Sequence, residues 1–199
     1  MAFIQTIPEQ DATGEVRKIY DEDRRTRGYL PNYSLVFSHR PAVKEAWNYL
    51  NKAIRSGMDL RRYELITLAA ARALRSSYCM LAHGSVLLEK FYKSPQLISI
   101  ADDPRTSELT PAERAMMAFA EKVVLDATSV TGDDIENLRS YGLTDAEIFD
   151  ITVTAAARCF FSKTLDALGA EPDHAYNGLE SGVRKALTVG RPIEGQAAA

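Results

Sequence analysis

The chain has 199 residues, 46% of them hydrophobic, and a formal net charge of -3. That size and apolar share fit one globular unit or two closely merged helical halves, and no basic stripe dominates any segment, which argues against a nucleic-acid face. No apolar run reaches the roughly 20 residues that cross a membrane, and the start Met-Ala-Phe-Ile-Gln-Thr lacks the features of a secretory signal, so the expected compartment is the cytoplasm.

In chain order, residues 1–11 read as an extended arm. Thr13 caps a helix running to about Arg25, with Val16, Ile19 and Tyr20 on one face. The Arg-rich end of this helix follows Asp21 and Glu22 and reads as a solvated face. Gly28-Tyr-Leu-Pro31-Asn32-Tyr33 breaks the helix, and Tyr33 to Ser38 forms a short one. Pro41 suits the first turn of the next helix, in which Val43, Trp47, Leu50 and Ile54 fall at helical spacing and Gly57 serves as C-cap. A helix from Asp59 to Leu74 carries the small run Ala69-Ala70-Ala71. Ser76 or Ser77 then caps a helix from Tyr78 to about Lys93, and Pro95 stops or redirects the chain.

Ile100 to Ser107 reads as a polar, exposed linker. Thr110-Pro-Ala-Glu113 is a capping box that opens a helix to about Leu125, and Thr131-Gly-Asp-Asp134 starts a shorter one ending near Gly142. Thr144-Asp-Ala-Glu147, a second capping box, opens a long helix through Leu168 with Gly169 as its stop. A last helix is expected from Asp173 to about Leu187, with a frayed tail from Gly190. No segment alternates like a strand, so the predicted fold class is all-α. A shift of 83 residues aligns Leu60 with Leu143, Glu64 with Glu147, Arg75 with Arg158 and Ser76 with Cys159. This echo reads either as a degenerate helical-hairpin duplication or as coincidence among Ala-rich helices.

The chemistry gathers between Glu64 and His83. Cys79 and His83 stand four apart, so on a helix they share a face with roughly 6 Å between Cβ atoms. Cys79 also falls in the first turn after a serine cap, where free N–H groups and the helix dipole favour an anion; both features favour the thiolate. Glu64 would lie about 22 Å from Cys79 in one straight helix. A reversal at Arg75-Ser76-Ser77 makes the two helices antiparallel, and the Glu64 carboxylate then reaches toward His83 to orient it for proton exchange. The plainer alternative makes Cys79 a small buried hydrophobe and His83 a packed or capping residue. Cys159, followed by Phe160 and Phe161, reads as structural. Two cysteines and three dispersed histidines argue against a disulfide scaffold and a structural zinc site, and no motif implies a flavin, haem or other cofactor.

Glu64, Ser76, Cys79 and His83 fall at the spacing Glu-x11-Cys-x2-Cys-x3-His, and the pattern resembles that of the alkylhydroperoxidase D and carboxymuconolactone decarboxylase superfamily. Ser76-Ser77-Tyr78-Cys79-Met-Leu-Ala-His83 looks like the family's Cys-Pro-Tyr-Cys-x-x-x-His with serine at the first cysteine. Gly28-Tyr-Leu-Pro31-Asn32, Arg40-Pro41, Trp47, Leu109 to Arg114, Phe119 to Lys122 and Asp166 to Gly169 resemble its peroxidase-related branch. The likeness spans roughly residues 12–175, with the motif in a half at about 41–94 and a second half at about 108–175. Residues 1–11 would be an N-terminal arm, and 176–199 a C-terminal helix and tail.

The resemblance implies a homo-oligomer (dimer, trimer or hexamer) of helical hairpins that reduces hydroperoxides. Cys79 would be the nucleophile, His83 the acid/base and Glu64 the orienting carboxylate, with Ser76, Tyr78 and Cys159 as accessory residues. Serine at position 76 removes the resolving thiol, so an external thiol, or Cys159, would have to reduce an oxidised Cys79. The alternatives are a decarboxylase-like acid/base enzyme acting on a small carboxylated or lactone substrate, and a non-catalytic helical assembly protein.

Overall fold

The computed structural model describes residues 2–105 and 107–196, which form helices, 3-10 turns and loops and no strand. The helices are α1 (Gly14–Arg27), α2 (Asn32–Val36), α3 (Pro41–Arg55), α4 (Leu60–Ala73), α5 (Ser77–Lys90), α6 (Ser94–Asp102), α7 (Pro111–Asp126), α8 (Gly132–Ser140), α9 (Asp145–Ala167) and α10 (Ser181–Leu187). The expected stops and starts recur. Gly28 and Gly169 take left-handed φ values of 81° and 78° at the ends of α1 and α9, where glycine carries no Cβ penalty. Capping boxes at Thr110/Glu113, Thr131/Asp134 and Thr144/Glu147 open α7, α8 and α9, each satisfying orphan N–H groups of a first turn.

The centre of the molecule is α4, which packs on α5, α7 and α9. Every residue from Tyr63 to Ala71 is buried, as expected of a helix enclosed on all sides, and Ala69 to Ala71 let neighbouring backbones approach. The Asp59 carboxylate accepts from the Arg62 N–H at 3.0 Å and fixes the start of α4. At its far end Arg75 adopts φ 54°, the Ser76 N–H bonds back to the Ala71 carbonyl at 2.9 Å, and the chain returns as α5. The C-terminal segment holds this reversal. Gly190 N–H donates to Ser77 Oγ at 2.8 Å, and a Cβ at Gly190 would lie 2.1 Å from the Arg75 carbonyl oxygen, so only glycine fits.

Several expectations are corrected. Pro95 does not end an element; it sits in the first turn of α6, where its missing N–H costs nothing. Ile100 and Ala101 are buried on that helix, and Pro104 and Ser107 are buried beyond it, so the expected exposed linker is largely packed; Thr106 lies outside the described residues. The α3 C-cap is Ser56, in a right-handed conformation, and not Gly57. Of the four apolar positions on α3, Trp47 and Ile54 are buried while Val43 and Leu50 are exposed. The helix expected from Asp173 is a 3-10 turn (His174–Gly178) followed by α10. The tail is docked through Gln196: Ile193 is fully buried and the Glu194 N–H bonds to the Pro172 carbonyl. Ala197–Ala199 and Met1, at the ends of the expected tail and arm, lie outside the described residues. The arm crosses the surface of the bundle, with Phe3 N–H on the Leu168 carbonyl and Ile7 N–H on Ser38 Oγ, and closes in a 3-10 turn (Glu9–Asp11). The 83-residue shift lays most of α4, the turn and the first half of α5 onto the single unbroken helix α9, so it repeats residue positions and not a hairpin.

Candidate active site

The hairpin α4–turn–α5 brings Glu64 and His83 together. Glu64 is 3% exposed, and its carboxylate accepts from His83 Nδ1–H at 2.5 Å. The other ring nitrogen, Nε2, faces Arg158 Nη1 at 3.1 Å. An arginine only donates, so Nε2 must accept, which fixes His83 as the neutral imidazole with its proton on Nδ1. Burial pushes the His83 pKa below its ordinary value; Glu64 pulls it back up, while Arg158 and Arg55 lower it further. Neutral histidine is thus set both by hydrogen bonding and by desolvation.

Cys79 occupies the first turn of α5, as the serine cap implied, although the Ser76 and Ser77 side chains make no capping hydrogen bond there. The thiol is 1% exposed, and its partner is Ser162 on α9, whose hydroxyl donates to Sγ at 3.1 Å. No hydrogen bond joins His83 to Cys79 among the described residues, so the expected direct thiol–imidazole contact is replaced by a serine–thiol contact. Both cysteines are free. Cys159 is half-buried and does not line the cavity that holds Cys79; the part of α9 that touches Cys79 lies one turn further on, at Ser162.

Arg158 is 3% exposed and links the site to its aromatic wall. Its Nη2 donates to Asn51 Oδ1 at 3.3 Å, which also accepts from Tyr63 OH at 2.7 Å. Its guanidinium lies 4.7 Å from the Trp47 ring centroid and 5.4 Å from that of Phe161, a cation–π arrangement, and Trp47 itself stacks on Phe161 at 4.7 Å. Tyr78, an expected accessory residue, uses its hydroxyl structurally. It donates to Asp173 Oδ1 at 2.7 Å and accepts from the Tyr33 N–H at 3.2 Å. Asp173 is 4% exposed and also accepts from Tyr29 OH and the Asn32 N–H; burial raises its carboxyl above the usual range. Asp173 therefore ties α2, α5 and the C-terminal segment together, rather than capping an exposed helix.

These groups surround a cavity of about 330 Å³ lined by Cys79, Glu64, His83 and Arg158, with Trp47 and Tyr176 among its aromatic walls. Its size is within the range of small-molecule sites. Among the described residues no set of three His, Cys, Asp or Glu side chains gathers as a metal site. Chemically, the arrangement offers a thiol held by a hydroxyl donor, a neutral imidazole backed by a carboxylate, and a guanidinium able to donate to oxygen. Arg158 and Ser162 touch His83 and Cys79 from α9, and motif spacing misses both. Both lie on the 83-residue shift, which pairs Arg75 with Arg158 and Cys79 with Ser162, so the one sequence signal for them is that echo.

The profile of the Carboxymuconolactone decarboxylase family matches residues 41–122, which include α4, α5 and the whole Glu64–His83 stretch. Among solved structures, the chain is similar to the alkylhydroperoxidase AhpD core of an uncharacterized peroxidase-related protein from Ralstonia eutropha JMP134. The identity is 25%, the TM-score 0.79, and the match covers 88% of this chain and 94% of that one. An uncharacterized peroxidase-related protein from Silicibacter sp. TM1040 matches at 22% identity and TM-score 0.77, over 87% and 95% of the two chains. The debrominase Bmp8, solved in complex with 2,3,4-tribromopyrrole, matches at 18% identity and TM-score 0.72, over 93% and 95%. No curated protein matches the chain.

Proposed function

We infer, for a chain that belongs to the alkylhydroperoxidase D-like and carboxymuconolactone decarboxylase superfamily in its peroxidase-related branch, that it reduces a hydroperoxide with the single thiol Cys79 and is recycled by an external thiol. The observation that carries this reading is the Cys79 sulfur lining the same cavity as the Glu64–His83 pair, in a helical first turn and under a hydrogen bond from Ser162. Anion-favouring backbone and a hydroxyl donor act on that sulfur together. In the reaction the sulfur attacks one peroxide oxygen, the O–O bond breaks, and the thiol proton ends on the departing alkoxide; Cys79 becomes a sulfenic acid and ROOH becomes ROH. When Arg158 turns its Nη1–H from His83 to the bound substrate, His83 Nε2 is freed to pass the proton, with Glu64 steadying the imidazole as it charges. With no second thiol lining the cavity, one external thiol condenses with the sulfenic acid, releasing water, and a second releases Cys79 and leaves as a disulfide.

A second reading is favoured by a specific observation: the Glu64–His83–Arg158 chain does not touch sulfur, and so is equally placed for acid/base work on a carboxylated or lactone substrate. One experiment separates the two. Peroxide consumption with a small dithiol is measured for the wild type, Cys79→Ser and His83→Ala. The thiol mechanism predicts loss of turnover in Cys79→Ser and a drop of about 10²-fold or more in His83→Ala. Full peroxide turnover in Cys79→Ser refutes it. We also propose that the protein works as a homo-oligomer in a reducing compartment, the cytoplasm. No helix among the described residues is long and apolar enough to cross a membrane.

A further inference from the structure

The charges facing the cavity do not balance. Arg27, Arg55, Lys90 and Arg158 line it, against two carboxylates, Glu64 and Asp173. Glu64 is engaged by His83, and Asp173 by two tyrosine hydroxyls and a backbone N–H. Of the cations, only Arg27 has a carboxylate within ion-pair reach among the described residues, Asp23 at 3.9 Å. Arg55 lies over the Tyr63 ring, and Lys90 has no ion-pair partner among the described residues. Arg158, the deepest of the four, meets among the described residues only neutral acceptors, His83 and Asn51, and the faces of Trp47 and Phe161. Its Nε–H is buried without a hydrogen-bond partner. A buried guanidinium is normally paired with a carboxylate or phosphate that matches its fork; among the described residues no protein group supplies one.

We propose that the cavity selects an organic anion, so that the hydroperoxide it reduces carries a carboxylate, with Arg158 as the binding cation and Arg55 and Lys90 drawing the anion to the mouth. The aromatic wall gives the body of such a molecule its apolar contact, and the missing negative charge comes from the ligand. The inference rests on reading this cavity as the substrate site, and it disfavours simple neutral alkyl hydroperoxides. Cations at a low-dielectric mouth raise the local concentration of anions in a salt-dependent way.

Trp47 is the single tryptophan of the chain and stacks on Arg158, so its fluorescence reports ligand binding without turnover. Benzoate serves as the probe, and the neutral, similarly shaped benzamide as the control. The expected result is a saturable Trp47 response to benzoate that weakens with added salt, and binding of benzamide at least about tenfold weaker. Arg158→Gln should lose the preference for the anion. The double variant Arg55→Gln/Lys90→Gln, altered only at exposed positions, should fold normally and bind benzoate severalfold more weakly. Equal binding of benzamide and benzoate, or no response to benzoate in the folded wild type, overturns the proposal. The assay is independent of sulfur chemistry, so intact benzoate selectivity in a protein whose Cys79 never reacts with peroxide refutes the thiol reading and leaves the anion site standing.

Discussion

Two neighbours and burial decide the state of His83. Glu64 accepts a hydrogen bond from Nδ1–H, Arg158 occupies the Nε2 lone pair, and burial opposes a charge on the ring. The folded pKa lies below the ordinary 6.5, so at pH values between the two the unfolded chain binds a proton that the folded one does not. Stability contributed by neutral His83 is complete above about pH 6.5 and is lost as pH falls through the folded value. Asp173, raised by burial above 3.8, works in the opposite sense at lower pH: its contribution is complete below that value and declines as pH rises through its folded pKa. Melting temperatures should therefore fall between about pH 7 and 5, and His83→Asn, which keeps a donor toward Glu64 but cannot titrate, should flatten that fall. An unchanged slope in the variant contradicts the assignment. At this scale Glu64, Cys79 and His83 are legible in sequence, because helical spacing and one reversal suffice to relate them. Ser162 and Arg158 are not legible in that way. They reach the site from a helix about 80 residues later, and their roles depend on which face of α9 meets α5.

Among the elements, α3 shows how spacing can mark apolar positions without saying what covers them. Trp47 and Ile54 enter the core, whereas Val43 and Leu50, 40% and 48% exposed, do not. Trp47 is both core and cavity wall, stacked on Phe161 and under Arg158. Trp47→Ala should cost about 3–5 kcal/mol in chemical denaturation, from lost burial and a cavity that cannot collapse. A cost below about 1 kcal/mol would mean the ring is not held in the core. Helices with capping boxes, α7 and α9 above all, were readable almost to the residue, since the cap is a local hydrogen-bond pattern. By contrast α6 was hidden behind Pro95, which reads as a stop to α5 and as a start only once the turn before it is known. The C-terminal segment is fixed by tertiary contacts alone, Gly190 against Arg75 and Asp173 against three donors, and no local pattern announces those.

For the molecule as a whole, two antiparallel helices leave an apolar face uncovered. Val43, Ala46, Leu50 and Ala53 on α3 lie beside Phe149, Ala156 and Phe160 on α9, and all are exposed. Trp47 and Phe160 meet across the two helices at 5.7 Å. Large exposed apolar patches mark association sites, and a second copy of this chain is the proposed cover. Light scattering after size exclusion should give a multiple of the 22.0 kDa chain mass. Leu50→Glu/Phe160→Glu should return it to the monomer while leaving the helical signal intact; a monomeric wild type contradicts the proposal. All-α architecture and family were visible in the sequence because they rest on repeated local signals and one spaced motif. The charge imbalance of the cavity was not, since Arg27, Arg55, Lys90 and Arg158 converge only in the folded chain. The account depends most on the reactivity of one sulfur. One equivalent of hydroperoxide is added in the presence of dimedone, and the peptides are read by mass spectrometry. The account predicts a single dimedone adduct at Cys79, absent in Cys79→Ser, with none at Cys159. An unmodified Cys79, or an adduct confined to Cys159, would contradict it.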